Sequence, residues 1–330
     1  MKDGSKYKPV IYVVCPAGNA TGGTELLHQI AVKLIAIGGD VKMVYWPENA
    51  EIKVNAAFRE YNVPHCEFPT DSNEVVIIFP EIFAQLARPF KNAKVVLWWL
   101  SVDNYFFSRD KKRGKFNRWL LTTFDSQKYC FFESYLKRFD MHLFQSHYAL
   151  DMLIKNKMDN LHRLQDYLHS SFLSEKYDIA TKKPIVAYNP KKGGKFTSQL
   201  IAKFPSIEFV PIENMSRDQV VDLLRSAMVY LDLGYHPGMD RIPREAGSLG
   251  CCVIVNKMGS AAFFDDVPIP SEYKIDTQKD YETQFSNMIP KIFEHFDACH
   301  EEFSGYRAFI SAQEANFDND VVSIYSELTS

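Results

Sequence analysis

The chain has 330 residues, 46% of them hydrophobic and 24% charged, with a net charge of −3. That balance is globular and long enough for two domains of ordinary size; it excludes disorder as the default and a global attraction to nucleic acid. The six cysteines (Cys15, Cys66, Cys130, Cys251, Cys252, Cys299) form no CxxC pair, which points to reduced, buried thiols of a cytoplasmic protein rather than a disulfide frame or a zinc site. The first residues, MKDGSKYKP, carry no apolar signal core, and no apolar stretch reaches the roughly 20 residues of a membrane span.

Along the chain, PVIYVVC (9–15) is a continuous β-branched run, the pattern of a strand buried on both faces. The loop PAGNATGG (16–23) follows. A helix is then predicted by Leu26, Leu27, Ile30, Leu34 and Ile37, with Gly38 and Gly39 as its stop. VKMVYW (41–46), EVVIIF (74–79), KVVLWWL (94–100) and MHLFQS (141–146) are further strands, and HYALDMLIKN opens a helix. The polar stretch 174–183 reads as a linker, after which the pattern restarts with strands at 184–189, 207–212, 228–233 and 251–255. Ser216 is a fitting N-cap for the helix SRDQVVDLLRSA. The tail from 278 reads as helical. Strand–helix alternation with apolar strands means α/β, with two doubly wound sheets whose ligand sites lie at the C-terminal ends of the strands.

Two segments carry a family resemblance: GGTELLHQIAVKLIAIGGDVKMVY (22–45) and HPGMDRIPREAGSLGCCVIV (236–255). They resemble signatures of GT-B-fold glycosyltransferases, especially glycosyltransferase family 4 and related bacterial polysaccharide-assembly enzymes. In that family a Gly-Gly-x-Glu loop opens the first helix, matched here by Gly22 and Gly23. An E-G-F-G-x-x-x-x-E-A motif opens a later helix, matched in its second half by Glu245-Ala246, and Gly250 to Ile254 match the G-x-P-V-I run. QSHYALDML (145–153) looks like the family's Ser-x-Tyr segment. The match departs at Pro237, where the first carboxylate of the pair is expected. It departs again in AYNPKKGGK (187–195), which keeps Lys192-Gly193 but lacks the preceding arginine; Arg241 is the candidate to supply that charge.

The resemblance implies two Rossmann-like domains facing a central cleft, the GT-B architecture. It places an acceptor domain at 1–173, a nucleotide-sugar domain at 174–311, and a last helix, 312–330, packing back on the first domain. It gives Glu245 the ribose hydroxyls and the helix start near 242 the diphosphate. Donor-binding candidates are Asn189, Lys191, Lys192, His236, Gly238, Asp240, Arg241, Ile242 and Glu245. Catalytic candidates are Lys192, Arg241, Glu245 and Asp103, the first two neutralising charge on the leaving diphosphate. Acceptor candidates are Gly22, Gly23, Asp103, Asn104, Ser146 and His147; Asp103 ends a buried strand where a group could orient or deprotonate an acceptor hydroxyl. The same residues also read as a Glu–Arg pair capping a helix and a turn aspartate bonding its own backbone.

Neither glycine loop is a dinucleotide fingerprint or a Walker A loop, since Asn189 and Phe196 stand where the latter needs Gly and Ser/Thr. No His/Cys/Asp constellation with metal-ligand spacing is apparent, and the resemblance implies retaining transfer with no metal or other cofactor. RDKKRGKFNR (109–118) sets six basic residues against one aspartate, a loop suited to an anionic membrane surface, to the phosphates of a lipid-linked acceptor, or to solvent. The expected partners are a nucleotide-sugar and a glycan or lipid-linked glycan, with no nucleic acid. The expected place is the cytoplasm, up to the inner face of its membrane, in surface polysaccharide synthesis. Alternatives are a nucleotide-sugar epimerase on the same fold and a non-catalytic assembly subunit.

Overall fold

The computed structural model describes residues 8–110 and 134–330. Residues 111–118 of the basic segment lie outside the described residues, as does Cys130. The chain divides into two compact units, Met1–Asp166 with Ala315–Ser330 and Tyr167–Glu314.

The first unit is built on a seven-stranded, wholly parallel sheet in the order β3-β2-β1-β4-β5-β6-β7. Its strands are β1 (Val10–Pro16), β2 (Asp40–Trp46), β3 (His65–Cys66), β4 (Val75–Pro80), β5 (Lys94–Trp99), β6 (Met141–Phe144) and β7 (Leu161–Arg163). The apolar runs foreseen as strands are all here, because every residue of β4 and β6 is buried and such runs have no solvent face to offer. The very short β3 and β7 escaped the sequence because two or three residues carry no periodicity.

Helix α1 (Gly22–Ala36) starts at Thr21, whose hydroxyl accepts the Thr24 N–H at 3.3 Å while the Thr24 hydroxyl accepts the Thr21 N–H at 2.8 Å. It stops where Gly38 takes φ +88°. Helices α2 (Val102–Asp110) and α3 (His147–Lys155) follow β5 and β6. The segment 315–330 is tied into this unit: Arg163 makes two hydrogen bonds to Asp320, at 2.9 and 3.0 Å, and Phe317 lies 6.5 Å from the Trp98 ring. The Lys94 ammonium donates to the carbonyls of Glu327 and Leu328, at 3.3 and 3.2 Å, where a helix leaves carbonyls unpaired.

The second unit holds a five-stranded parallel sheet in the order β12-β11-β10-β8-β9. Its strands are β8 (Lys183–Tyr188), β9 (Glu208–Pro211), β10 (Ala227–Asp232), β11 (Cys252–Asn256) and β12 (Lys274–Ile275). The helices are α4 (Ser170–Leu173), α5 (Gly194–Lys203), α6 (Arg217–Ser226), α7 (Arg241–Ser248), α8 (Tyr281–Glu294), α9 (Phe296–Glu301) and α10 (Ser304–Leu328), the last contributing residues to both units. Ser216 caps α6 as foreseen, accepting the Gln219 N–H at 3.3 Å. Buried Lys182 donates to the carbonyls of Leu224, Ala227 and Leu249 at 2.7–2.9 Å. It thereby satisfies carbonyls at the C-terminal ends of α6 and α7.

Cys15, Cys251, Cys252 and Cys299 are buried free thiols, whereas Cys66 is half-buried. Among the described residues no helix is long and apolar enough to cross a membrane.

Candidate functional site

In an open parallel sheet, the loops after two neighbouring strands diverge where the strand order reverses, and a crevice opens at their C-terminal ends. In the second unit that point lies between β8 and β10. The loops leaving those strands, 189–193 and 233–240, meet backbone to backbone. A Cβ on Gly193 would sit 2.3 Å from the Leu233 carbonyl carbon, and Gly193 holds φ +63°. A Cβ on Gly234 would come within 2.8 Å of Lys192 Cβ. Gly193 and Gly234 thus let two loops share one space.

That contact brings Lys192 to Asp240, and their ammonium and carboxylate form a short ion pair. Asp240 is the N-cap residue of α7, yet its side chain makes no capping bond. The carboxylate turns instead to Lys192 and to His236, whose Nδ1 lies 3.0 Å from it. The opposite ring nitrogen of His236, Nε2, faces Asp232 at 3.6 Å, just beyond hydrogen-bond length. Asp232 ends β10 and accepts from the Gly234 N–H at 2.9 Å and the Tyr230 hydroxyl at 3.3 Å. Burial raises its carboxyl pKa, but His236, Lys192 and the Gly234 N–H outweigh burial and hold it below its ordinary value.

His236 and Asp232 are each only 1% exposed, whereas Lys192 and Asp240 reach solvent at 27% and 23% of their side chains. The His236 carbonyl is pinned by the Ser260 N–H at 2.8 Å. Asp232, His236 and Asp240 are four residues apart in turn, and their ligand atoms lie within 4.8 Å of one another. That is a composition divalent cations accept, although the imidazole offers opposite nitrogens to the two carboxylates and an ammonium already sits on one of them. Spacing did not single this group out, because a loop, unlike a helix, gives i, i+4, i+8 no fixed meaning.

Arg244, unassigned by the sequence, is 1% exposed and holds the loop from beneath. Its guanidinium donates to the carbonyls of Asp240 (3.2 Å) and Met239 (3.1 Å) and to Gln313 Oε1 (2.9 Å). Glu245 is the fifth residue of α7, not its first, and is half-buried, as are Arg241 and Ile242. Gly238 is buried in the loop beside half-buried Pro237. Asn189 Oδ1 accepts the Lys191 N–H at 3.0 Å, so its side chain shapes its own turn, and Lys191 is exposed.

The acceptor candidates gather on the first unit. Gly22 and Gly23 open α1 next to its N-cap. The segment after β5 turns directly into α2, so Asp103 and Asn104 stand in a helical first turn rather than in a loop. The Tyr148 hydroxyl donates to Asp103 at 3.4 Å, which joins the starts of α2 and α3. Ser146 caps α3 by accepting the Ala149 N–H at 3.2 Å, and His147 is its half-buried first residue. Sequence reasoning missed Glu81. It follows β4 directly, is 3% exposed, and accepts the Leu100 N–H at 3.1 Å. Burial pushes its carboxyl up to about 8, against the backbone N–H donors of Leu100, Glu81 itself and Ser101. The signal was a lone acid at the end of a wholly apolar strand.

No protein-family model matches the chain, and no curated protein matches it by sequence. Its structure, however, is similar to several solved ones. A glycosyltransferase from Rickettsia africae is 12% identical with a TM-score of 0.63, covering 97% of this chain and 98% of its own. Anabaena HepE in complex with UDP is 11% identical with a TM-score of 0.65, covering 97% and 100%. Sucrose-phosphate synthase from Thermosynechococcus elongatus is 12% identical with a TM-score of 0.65, covering 97% and 99%. With near-complete coverage on both sides and two parallel α/β sheets, the chain has the GT-B fold that these glycosyltransferases share.

Proposed function

We propose that the protein is a glycosyltransferase that moves a sugar from a nucleotide-sugar donor to a glycan or lipid-linked acceptor in bacterial surface polysaccharide synthesis, with retention of configuration and without a metal. The observation that carries the donor assignment is the pairing of the loops after β8 and β10. It sets the Lys192 ammonium beside the start of α7, where the N-cap side chain makes no bond to the N–H groups of Arg241 and Ile242 and the third residue, Pro243, has none. Ammonium, helix start and Arg241 together suit a diphosphate. HepE, solved with UDP and with UDP-glucose, supports a uridine donor as the first to test.

On this reading Glu245 accepts the two ribose hydroxyls. Gly238, Ile242, Asn189 and Lys191 line the nucleotide, and Lys192 and Arg241 stabilise the diphosphate as the anomeric C–O bond breaks. Asp103, with Asn104, His147, Ser146 and the Gly22-Gly23 turn around it, orients the acceptor hydroxyl on the first unit. The retaining outcome, the metal independence and the polysaccharide role rest on the family resemblance, and contact with the membrane face rests on the basic segment 109–118.

The test is incubation with UDP-, GDP-, dTDP- and ADP-sugars, with and without oligosaccharide and polyprenyl-linked acceptors. Released nucleoside diphosphate and one added sugar mass on an acceptor are expected. An epimerised nucleotide-sugar formed without acceptor contradicts transfer, as does tight binding with no turnover on any acceptor.

A further inference from the structure

We propose that Asp240 is not a donor ligand but an internal stand-in for the donor's phosphate. It holds Lys192 in the empty protein and gives it up to the incoming diphosphate, while His236, backed by Asp232, retains the displaced carboxylate. The inference rests on the reading that Lys192 meets a diphosphate.

The geometry points to exchange. Lys192 and Asp240 are the exposed pair of the network, at 27% and 23%, so a solute can reach them. His236 and Asp232 are sealed at 1% each. A carboxylate at the N-cap position ordinarily accepts an N–H of its own first turn; here the third residue is Pro243, which has none, and the Asp240 carboxylate lies on the ammonium. An anion arriving at the start of α7 meets Asp240 as a like charge and Lys192 as an opposite one. Binding is favourable only if the ammonium turns to the anion and the carboxylate keeps another partner. That partner is the His236 ring, 3.0 Å away through Nδ1, on a residue whose backbone carbonyl accepts the Ser260 N–H.

The His236 Nε2 has no hydrogen-bond partner among the described residues and faces Asp232 across 3.6 Å, so the ring stays on Asp240 without breaking a hydrogen bond elsewhere. Charged or titratable groups facing the network include Tyr230 on β10, Arg244 and Glu245 on α7 and Tyr306 on α10, which act electrostatically within it, and Arg241, which directly follows Asp240. Arg244 fixes the Asp240 backbone, leaving the carboxylate as the part that changes partner.

The inference reverses the direction expected of a ligand residue. Asp240→Asn removes the competing charge and should tighten binding of UDP, and of inorganic pyrophosphate as a base-free probe, by about tenfold. His236→Gln leaves Asp240 without its retaining partner and should weaken both by about tenfold. In the double variant the His236→Gln loss should vanish, because there is no carboxylate left to retain. Titration calorimetry on the full chain reads all four proteins, after matched melting temperatures establish that each is folded. Weaker binding in Asp240→Asn, or a double variant in which the two single effects simply add, overturns the inference and leaves the donor reading intact. No binding of either probe by wild type and Asp240→Asn overturns both.

Discussion

At the scale of single residues, two carboxyl groups have opposite relations to water. Glu245 is half-buried on α7, and a carboxylate there can accept two hydroxyl donors at once. Glu245→Ala should weaken nucleotide-sugar binding by about 2 kcal/mol, roughly thirtyfold in Kd, in calorimetric titration. Glu81 is sealed, and burial lifts its carboxyl from an ordinary 4.5 to about 8. Because the folded value lies above the unfolded one, the native state holds this proton more tightly. Its contribution to stability is full below about pH 4.5 and declines up to about pH 8. Glu81→Gln keeps the shape and cannot ionise. Its urea midpoint relative to wild type should therefore rise as the pH goes from about 5 to about 8, and a constant difference across that range contradicts the assignment.

At the scale of elements, the loops and helix ends carry the site, and they explain how far it was legible. The apolar strands could be read directly, since a strand buried on both faces must be apolar throughout. So could the capped start of α6 at Ser216, because capping is local chemistry. The Asp232–His236–Asp240–Lys192 grouping could not, because it depends on two loops separated by about forty residues touching at Gly193 and Gly234. Nor could the role of Arg244 be read, because its partners are two backbone carbonyls and a side chain some seventy residues on.

Gly193→Ala tests the loop contact: with φ +63° and backbone 2.3 Å away, it should cost about 2 kcal/mol or more and weaken nucleotide binding by displacing Lys192. Lys182→Met tests the anchoring of α7 from its other end. It removes the ammonium from three buried carbonyls, of which Leu224 and Ala227 keep only the weak Cys251 thiol donor, and should lower stability by about 3 kcal/mol in urea unfolding.

At the scale of the whole molecule, each unit is a parallel sheet with a core of its own, and the first is completed by the chain's last residues. Ending the chain at Glu314 removes Asp320 from Arg163 and Phe317 from Trp98. The first unit should then melt earlier than the second, giving two separated transitions in calorimetry where the full chain keeps them closer. The order of elements and the two-sheet plan could be read from alternation alone. The return of the C-terminal segment is expected from the family resemblance only, because helical periodicity does not say which core a helix joins.

The central claim is that the paired loops after β8 and β10 hold a nucleotide-sugar. Its most direct measurement is a thermal-shift panel of UDP-, GDP-, dTDP-, ADP- and CMP-linked sugars on wild type and Glu245→Ala. The account predicts that one nucleotide raises the wild-type melting temperature and that most of this rise is lost in Glu245→Ala. No shift with any of the five, or a shift that survives intact in the variant, would contradict it.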